Sequence, residues 1–198
     1  MIDQIPYRPS RRVLLKTGLL AGAAVAALAA PVLTGTGTAR AYVSGAGIQP
    51  NWAWCDKCQG LFYQPFQGSS WCPAGGQHDG SESHDYYLYY GTSGPSDGLG
   101  FPVQPNWAWC DKCQGLFYGP SQSSSYCPAG GRHDGSESYS YDVPYDQPSG
   151  YGWQADWAWC DKCQGLFYGR VQSSSWCPAG GRHDGSESYA APGYDMLY

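Results

Sequence analysis

The stretch WAWCDKCQGLFY fills residues 52–63, and the same twelve residues return unchanged at 107–118 and 157–168. After eight intervening residues, CPAGG-x-HDGSES begins at Cys72, Cys127 and Cys177. Only the x position differs, as Gln77, Arg132 and Arg182. Each repeat spans 33 residues (52–84, 107–139 and 157–189) without insertion or deletion. Self-similarity of this kind marks supersecondary units that cannot bury an apolar face alone and stack on one another. The segments between repeats, 85–106 and 140–156, are less alike and share mainly a richness in Tyr, Gly, Pro and Ser.

All nine cysteines fall inside the repeats, three in each, with one histidine per repeat at fixed spacing: Cys-x2-Cys-x13-Cys-x5-His. The sets are Cys55, Cys58, Cys72, His78; Cys110, Cys113, Cys127, His133; and Cys160, Cys163, Cys177, His183. Three soft thiolates and one imidazole suit a closed tetrahedral zinc site, so the expected cofactor is zinc, three per chain. Gly60, Gly115 and Gly165 follow the second Cys by two residues and are expected to supply the tight backbone of the knuckle. Asp79, Asp134 and Asp184, beside the histidines, are alternative fourth ligands. Iron on a rubredoxin-like site is another possibility, though such sites usually take four Cys. A disulfide framework is the main competing reading, but three Cys per repeat always strand one thiol. A module this short also falls below the ~40 residues at which chains fold without a staple.

The local pattern is strand and turn. Trp52 and Trp54 alternate around Ala53, which places both rings on one strand face. Leu61-Phe62-Tyr63 and Tyr86-Tyr87-Leu88-Tyr89-Tyr90 are strand candidates. The Gly, Pro and Ser clusters interrupt any long helix after residue 41. The loop bearing the third Cys and the His, set against the Cys-x-x-Cys knuckle, resembles a zinc ribbon. The fold expected is small, all-β and metal-stabilised, with three tandem zinc-ribbon-like modules packed together. The alternative is a single threefold body like a β-trefoil.

The first 41 residues read as an address. Ser10-Arg11-Arg12 and Leu15-Lys16 precede the uncharged stretch 17–39, and Ala39-Arg40-Ala41 supplies small residues for cleavage. This run resembles a twin-arginine (Tat) signal. The resemblance implies recognition of Arg11 and Arg12 by the Tat machinery, cleavage after Ala41 and export of a protein that took up its metal in the cytoplasm. An uncleaved anchor is the competing reading, but the apolar core is short and broken by Pro31. The divisions are therefore 1–41 signal, 42–106 module 1 with linker, 107–156 module 2 with linker, and 157–198 module 3 with tail.

Charge and composition narrow the role. The whole chain carries a formal −5, and residues 42–198 carry six basic and 15 acidic groups, or −9. That argues against a nucleic-acid partner, and cleavage leaves no membrane segment. A four-ligand site has no open position for catalysis. Glu82, Glu137 and Glu187 lie in Gly-Ser turns that fix no general base, so no enzyme is expected. Residues 42–198 hold 30 aromatics, the residue type that interfaces use. Trp71, Tyr126, Trp176 and Trp153 are the contact candidates for an extracellular polymer or protein. His84, which occurs in the first repeat only, is expected at the surface. A secreted zinc store or sensor is the second hypothesis. The repeat as a whole resembles one found in secreted bacterial proteins, and no activity follows from that likeness. Replacing Arg11 and Arg12 together by lysine is expected to abolish export, and N-terminal sequencing of the exported chain to begin at Tyr42.

Overall fold

The computed structural model describes residues 47–91, 99–148, 150, 152–188 and 193–198. Arg11, Arg12 and Ala41 of the expected signal lie outside these. Residues 41–198 form one compact unit. Each repeat contributes a long strand, a short strand and a third strand from the segment that follows it. These are β1 (Gly47–Trp54), β2 (Leu61–Tyr63) and β3 (Tyr86–Tyr90) in lobe 1. Lobe 2 has β4 (Val103–Trp109), β5 (Leu116–Tyr118) and β6 (Tyr141–Pro144). Lobe 3 has β7 (Trp153–Trp159), β8 (Leu166–Tyr168) and β9 (Tyr194–Leu197). Among the described residues the only helical pieces are six-residue 3-10 turns after β2, β5 and β8. None is long and apolar enough to cross a membrane.

Within each lobe the long strand pairs antiparallel with both others. A bulge interrupts the long strand before its first repeat tryptophan, where Asn51, Asn106 and Asp156 take φ of 69°, 71° and 71°. Asn and Asp tolerate this left-handed conformation better than other side chains. Residues three apart on a regular strand face opposite ways; the bulge brings them to one side. Trp107 Nε1 therefore donates to Gln104 Oε1 at 3.1 Å, and Trp157 Nε1 to Gln154 Oε1 at 3.0 Å.

The lobes close on one another in a ring. At one end the short strands are bridged in cyclic order, Phe62 to Gly115, Phe117 to Gly165 and Phe167 to Gly60. Tyr63 N donates to Gln114 O at 2.9 Å, Tyr118 N to Gln164 O at 2.8 Å and Tyr168 N to Gln59 O at 2.8 Å. At the other end β3 pairs with both β6 and β9, and Tyr145 bridges to Tyr194. Every lobe is thus bonded to both others, and the modules form a single threefold β body.

The core lies between the lobes. Trp52, Trp107 and Trp157 are completely buried. Each meets the edge of a tyrosine from another lobe: Tyr141 at 5.2 Å, Tyr194 at 5.5 Å and Tyr86 at 5.3 Å. The same tyrosines donate their hydroxyl protons to Gln49, Gln104 and Gln154 across the lobe boundary. Ala53 and Ala108, on the opposite faces of β1 and β4, are also buried, so these two long strands are covered on both sides there. Truncating Trp107 to alanine is expected to cost roughly 3–5 kcal/mol of unfolding free energy. Because its contacts span lobes, denaturant unfolding should remain one transition, shifted as a whole.

Candidate metal centres

The Cys-x-x-Cys turn follows the long strand directly, and β2 returns the chain from it. Cys55 N donates to Gly60 O at 2.9 Å and Gln59 N to Cys55 O at 2.8 Å, which closes the knuckle. The left-handed residue of this turn is Gln59, with φ 72°, and not Gly60. Gln114 at 71° and Gln164 at 72° repeat the arrangement. This corrects the role expected for the three glycines. The buried Gln59 side chain fixes the unusual backbone. Its Nε2 donates to Asp56 O at 2.7 Å, and its Oε1 accepts from Trp54 Nε1 at 3.0 Å.

The second loop brings the third Cys and the His. Cys72 N donates to Gly76 O at 2.8 Å; Gly75 and Gly76 sit at φ 104° and 66°, which only glycine adopts freely. Ser70 Oγ accepts from His78 N at 2.9 Å and donates to Gln67 O at 2.7 Å, and so anchors the loop. Lys57 Nζ reaches back to the carbonyls of Gly75 and Gln77. The His78 ring stacks on Phe62 at 4.8 Å and 15°.

These elements place Cys55, Cys58, Cys72 and His78 together, all buried, with ligand atoms within 4.8 Å of one another. The two equivalent quartets do the same. Cys55 and Cys72 sulfurs are 3.9 Å apart, and Cys58 Sγ lies 3.4 Å from His78 Nδ1. A tetrahedral ion with metal–sulfur bonds of ~2.3 Å and a metal–nitrogen bond of ~2.0–2.1 Å needs edges of about 3.8 and 3.6 Å. The donor set therefore fits one metal ion per lobe. No cysteine is bridged. The backbone also suits thiolates, since Asp79 N donates to Cys55 Sγ at 3.3 Å and Gly60 N to Cys58 Sγ at 3.5 Å.

Histidine, not the neighbouring aspartate, supplies the fourth donor. Asp79, Asp134 and Asp184 turn their carboxylates to the amides of Ser81, Ser136 and Ser186, each at 3.1 Å. The HDGSES run is a turn whose Ser83 hydroxyl accepts from Trp54 N at 2.7 Å; Glu82, Glu137 and Glu187 stand exposed on it.

The metal-free protonation pattern follows from the crowding. Hydrogen bonds from Cys58 and Cys72 hold Cys55 far below the usual thiol range. Burial pushes Cys58 well up, and its hydrogen bond to Cys55 pushes Cys72 up to about 11. The crowding thus favours a thiolate at Cys55 and opposes loss of the protons on Cys58 and Cys72.

The contact candidates separate. Trp71, Tyr126 and Trp176 are 56%, 47% and 50% exposed. Arg132 and Arg182 lie over the last two rings, at 4.9 and 5.3 Å. Trp153 is half-buried on β7, edge-on to Phe101 at 5.5 Å. His84 is exposed but stacked on Tyr198 at 4.3 Å. The supporting residues that spacing did not single out are Gln59, Lys57 and Ser70. Their signal was available, because each is identical in all three repeats.

Each quartet is expected to release two protons, from Cys58 and Cys72 or their equivalents, as it takes up a divalent ion near pH 7. Apparent metal affinity then rises with pH, because a higher pH removes those protons beforehand. Titration of the metal-free chain with zinc in a weakly buffered indicator solution measures the release. Comparison of the chain with family models, curated proteins and solved structures finds no match.

Proposed function

We propose that the chain is an exported, non-catalytic zinc protein that acts outside the cell as a binding or scaffold module through its exposed aromatic rings. The observation that carries this reading is the coincidence of three buried Cys3His quartets with an exposed aromatic residue immediately before the third Cys of every lobe. The three-thiolate, one-imidazole donor set suits zinc. Four protein ligands leave a tetrahedral ion no position for water or substrate, which supports a structural role for the metal. Export follows the Arg11-Arg12 signal, a route that carries proteins already folded around their cofactors. Outside the cell the partner is a polymer or a protein rather than a nucleic acid, given the formal −9 of residues 42–198.

A secreted zinc store is the second reading, favoured by the number of sites. Burial of every ligand weighs against it, because a store must give its metal up. The two readings separate in one preparation of the exported protein. A structural role predicts three zinc ions per chain by elemental analysis and nine reactive thiols after denaturation. It also predicts that weak chelators fail to remove the metal. Ready exchange with such chelators, or fewer than nine thiols with no metal, would overturn it.

A further inference from the structure

The three lobes meet around a cavity of about 40 Å³ on the axis of the ring. Each contributes the same residues to it: in lobe 1, Cys58, Gly60, Leu61, Pro73 and His78. Three features of this cavity are not explained by the metal centres or by folding.

The first is the glycines. Gly60, Gly115 and Gly165 are free of positive φ, so no backbone conformation demands them. A methyl group built on Gly60 meets Cys58 Sγ at 3.5 Å and Leu166 O at 3.9 Å, ordinary contact distances. Gly115 and Gly165 are as roomy, with nearest atoms at 3.5 Å. Neither strain nor crowding requires a glycine there, and each one replaced by alanine would fill part of the cavity.

The second is the imidazoles. His Nδ1 faces the thiols of its own quartet, 3.4 Å from Cys58, Cys113 or Cys163. A metal on Nδ1 leaves Nε2 as the N–H donor. In His183, which is 5% exposed, Nε2 is buried without a partner. A buried donor without an acceptor marks a missing partner.

The third is the rim. Trp71 N donates to Cys113 O at 3.4 Å, Tyr126 N to Cys163 O at 3.3 Å and Trp176 N to Cys58 O at 3.3 Å. The exposed rings therefore spring from backbone bonded to cavity-lining residues, and the cavity-lining Pro73, Pro128 and Pro178 lie two residues beyond them.

We propose that the axial cavity receives a hydroxyl-bearing terminal group of a neutral saccharide, whose ring stacks on the flanking Trp71, Tyr126 and Trp176. This rests on the aromatic-contact reading above and adds its chemical class. The volume holds a group of two or three heavy atoms, such as a hydroxymethyl, by the standard that one water needs ~10–15 Å³. Leu61, Pro73 and their equivalents suit its C–H surface, and the unpartnered His183 N–H suits its oxygen. Each loaded Cys3His centre carries one net negative charge, so three of them around the axis disfavour an anion.

The test uses the metal-loaded chain of residues 42–198 and tetrasaccharides of β-1,4-glucose, α-1,4-glucose, β-1,3-glucose and β-1,4-N-acetylglucosamine, with tetragalacturonate as the acidic control. Binding is followed by tryptophan fluorescence. At least one neutral sugar is expected to bind, and the acidic one more weakly. Two changes should each lower affinity about tenfold, the scale of one lost good contact. One is the Gly60→Ala/Gly115→Ala/Gly165→Ala variant, checked for three metals and an unchanged melting temperature. The other is a 6-deoxy form of the bound sugar, which needs no variant to fold. No binding by any neutral member overturns the proposal. If Trp71→Ala/Tyr126→Ala/Trp176→Ala weakens binding while neither the filled cavity nor the deoxy sugar does, the cavity site falls and the aromatic-contact reading stands. If the rim variant also has no effect, both fall.

Discussion

The tryptophan that opens each repeat is buried by a tyrosine from a different lobe. Trp52 lies against Tyr141, Trp107 against Tyr194 and Trp157 against Tyr86, and a glutamine beside each tryptophan receives the tyrosine hydroxyl. No lobe can complete its own interior, so three must assemble. The quartets answer the same deficit at the other end, where a short two-loop element has too little apolar surface to hold itself. The two ends are mechanically linked, because knuckle carbonyls are also inter-lobe acceptors. Gln59 O receives Tyr168 N, and Cys58 O receives Trp176 N. Ordering one knuckle around a metal therefore shapes the surface on which the neighbouring lobe docks. A metal held by one knuckle would therefore act on the neighbouring lobe through the backbone.

The ligand sets were legible because spacing alone specifies them: a Cys-x-x-Cys turn and a Gly-Gly loop bring four donors together wherever their lobe sits. Closure into a ring was left open, and the reason is visible in the third strands. They start with Tyr86-Tyr87-Leu88, Tyr141-Asp142-Val143 and Tyr194-Asp195-Met196. The common element is a tyrosine followed two positions later by a buried aliphatic residue. That is too short to stand out, and the third copy lies three residues further from its Cys than the others. Gln49, Gln104 and Gln154 were equally readable, each three residues before its tryptophan. They fell outside the repeat because the third copy has Ala155-Asp156 where the first two have Pro-Asn. β4 and β7 accordingly begin at Val103 and Trp153, upstream of the repeated motif.

The knuckle glycines show a different limit. Glycine two residues after the second Cys suggests a backbone requirement, and sequence offers no means to assign it elsewhere. Only the φ values show that glutamine, and not the glycine after it, takes the left-handed turn. The amide holds the buried glutamine there: its Nε2 donates to Asp56 O, Asp111 O or Asp161 O in the three lobes, and in the first two its Oε1 also accepts from Trp54 or Trp109 Nε1. The side chain that looks polar and exposed in the sequence is one of the fixed points of the site.

Threefold packing demands identity only where lobes touch one another or the metal. The interior obeys this closely: the tryptophans, phenylalanines and quartets are the same residues in the same places. Position 71 and its equivalents owe nothing to that demand. Their rings stand half in water, where burial contributes less than it would for a ring in the core, yet the residue is aromatic in every lobe. Nor are the three rings in equal surroundings. Arg132 and Arg182 cover Tyr126 and Trp176 while bonding to Ser125 O and Ser175 O. In lobe 1 Gln77 instead donates to Gly68 O, and Trp71 is the most exposed of the three. A body uniform inside is graded at this one end, with one freer ring and two that arginines cover. Packing accounts for the uniformity, and the single change from arginine to Gln77 at the variable position accounts for the grading.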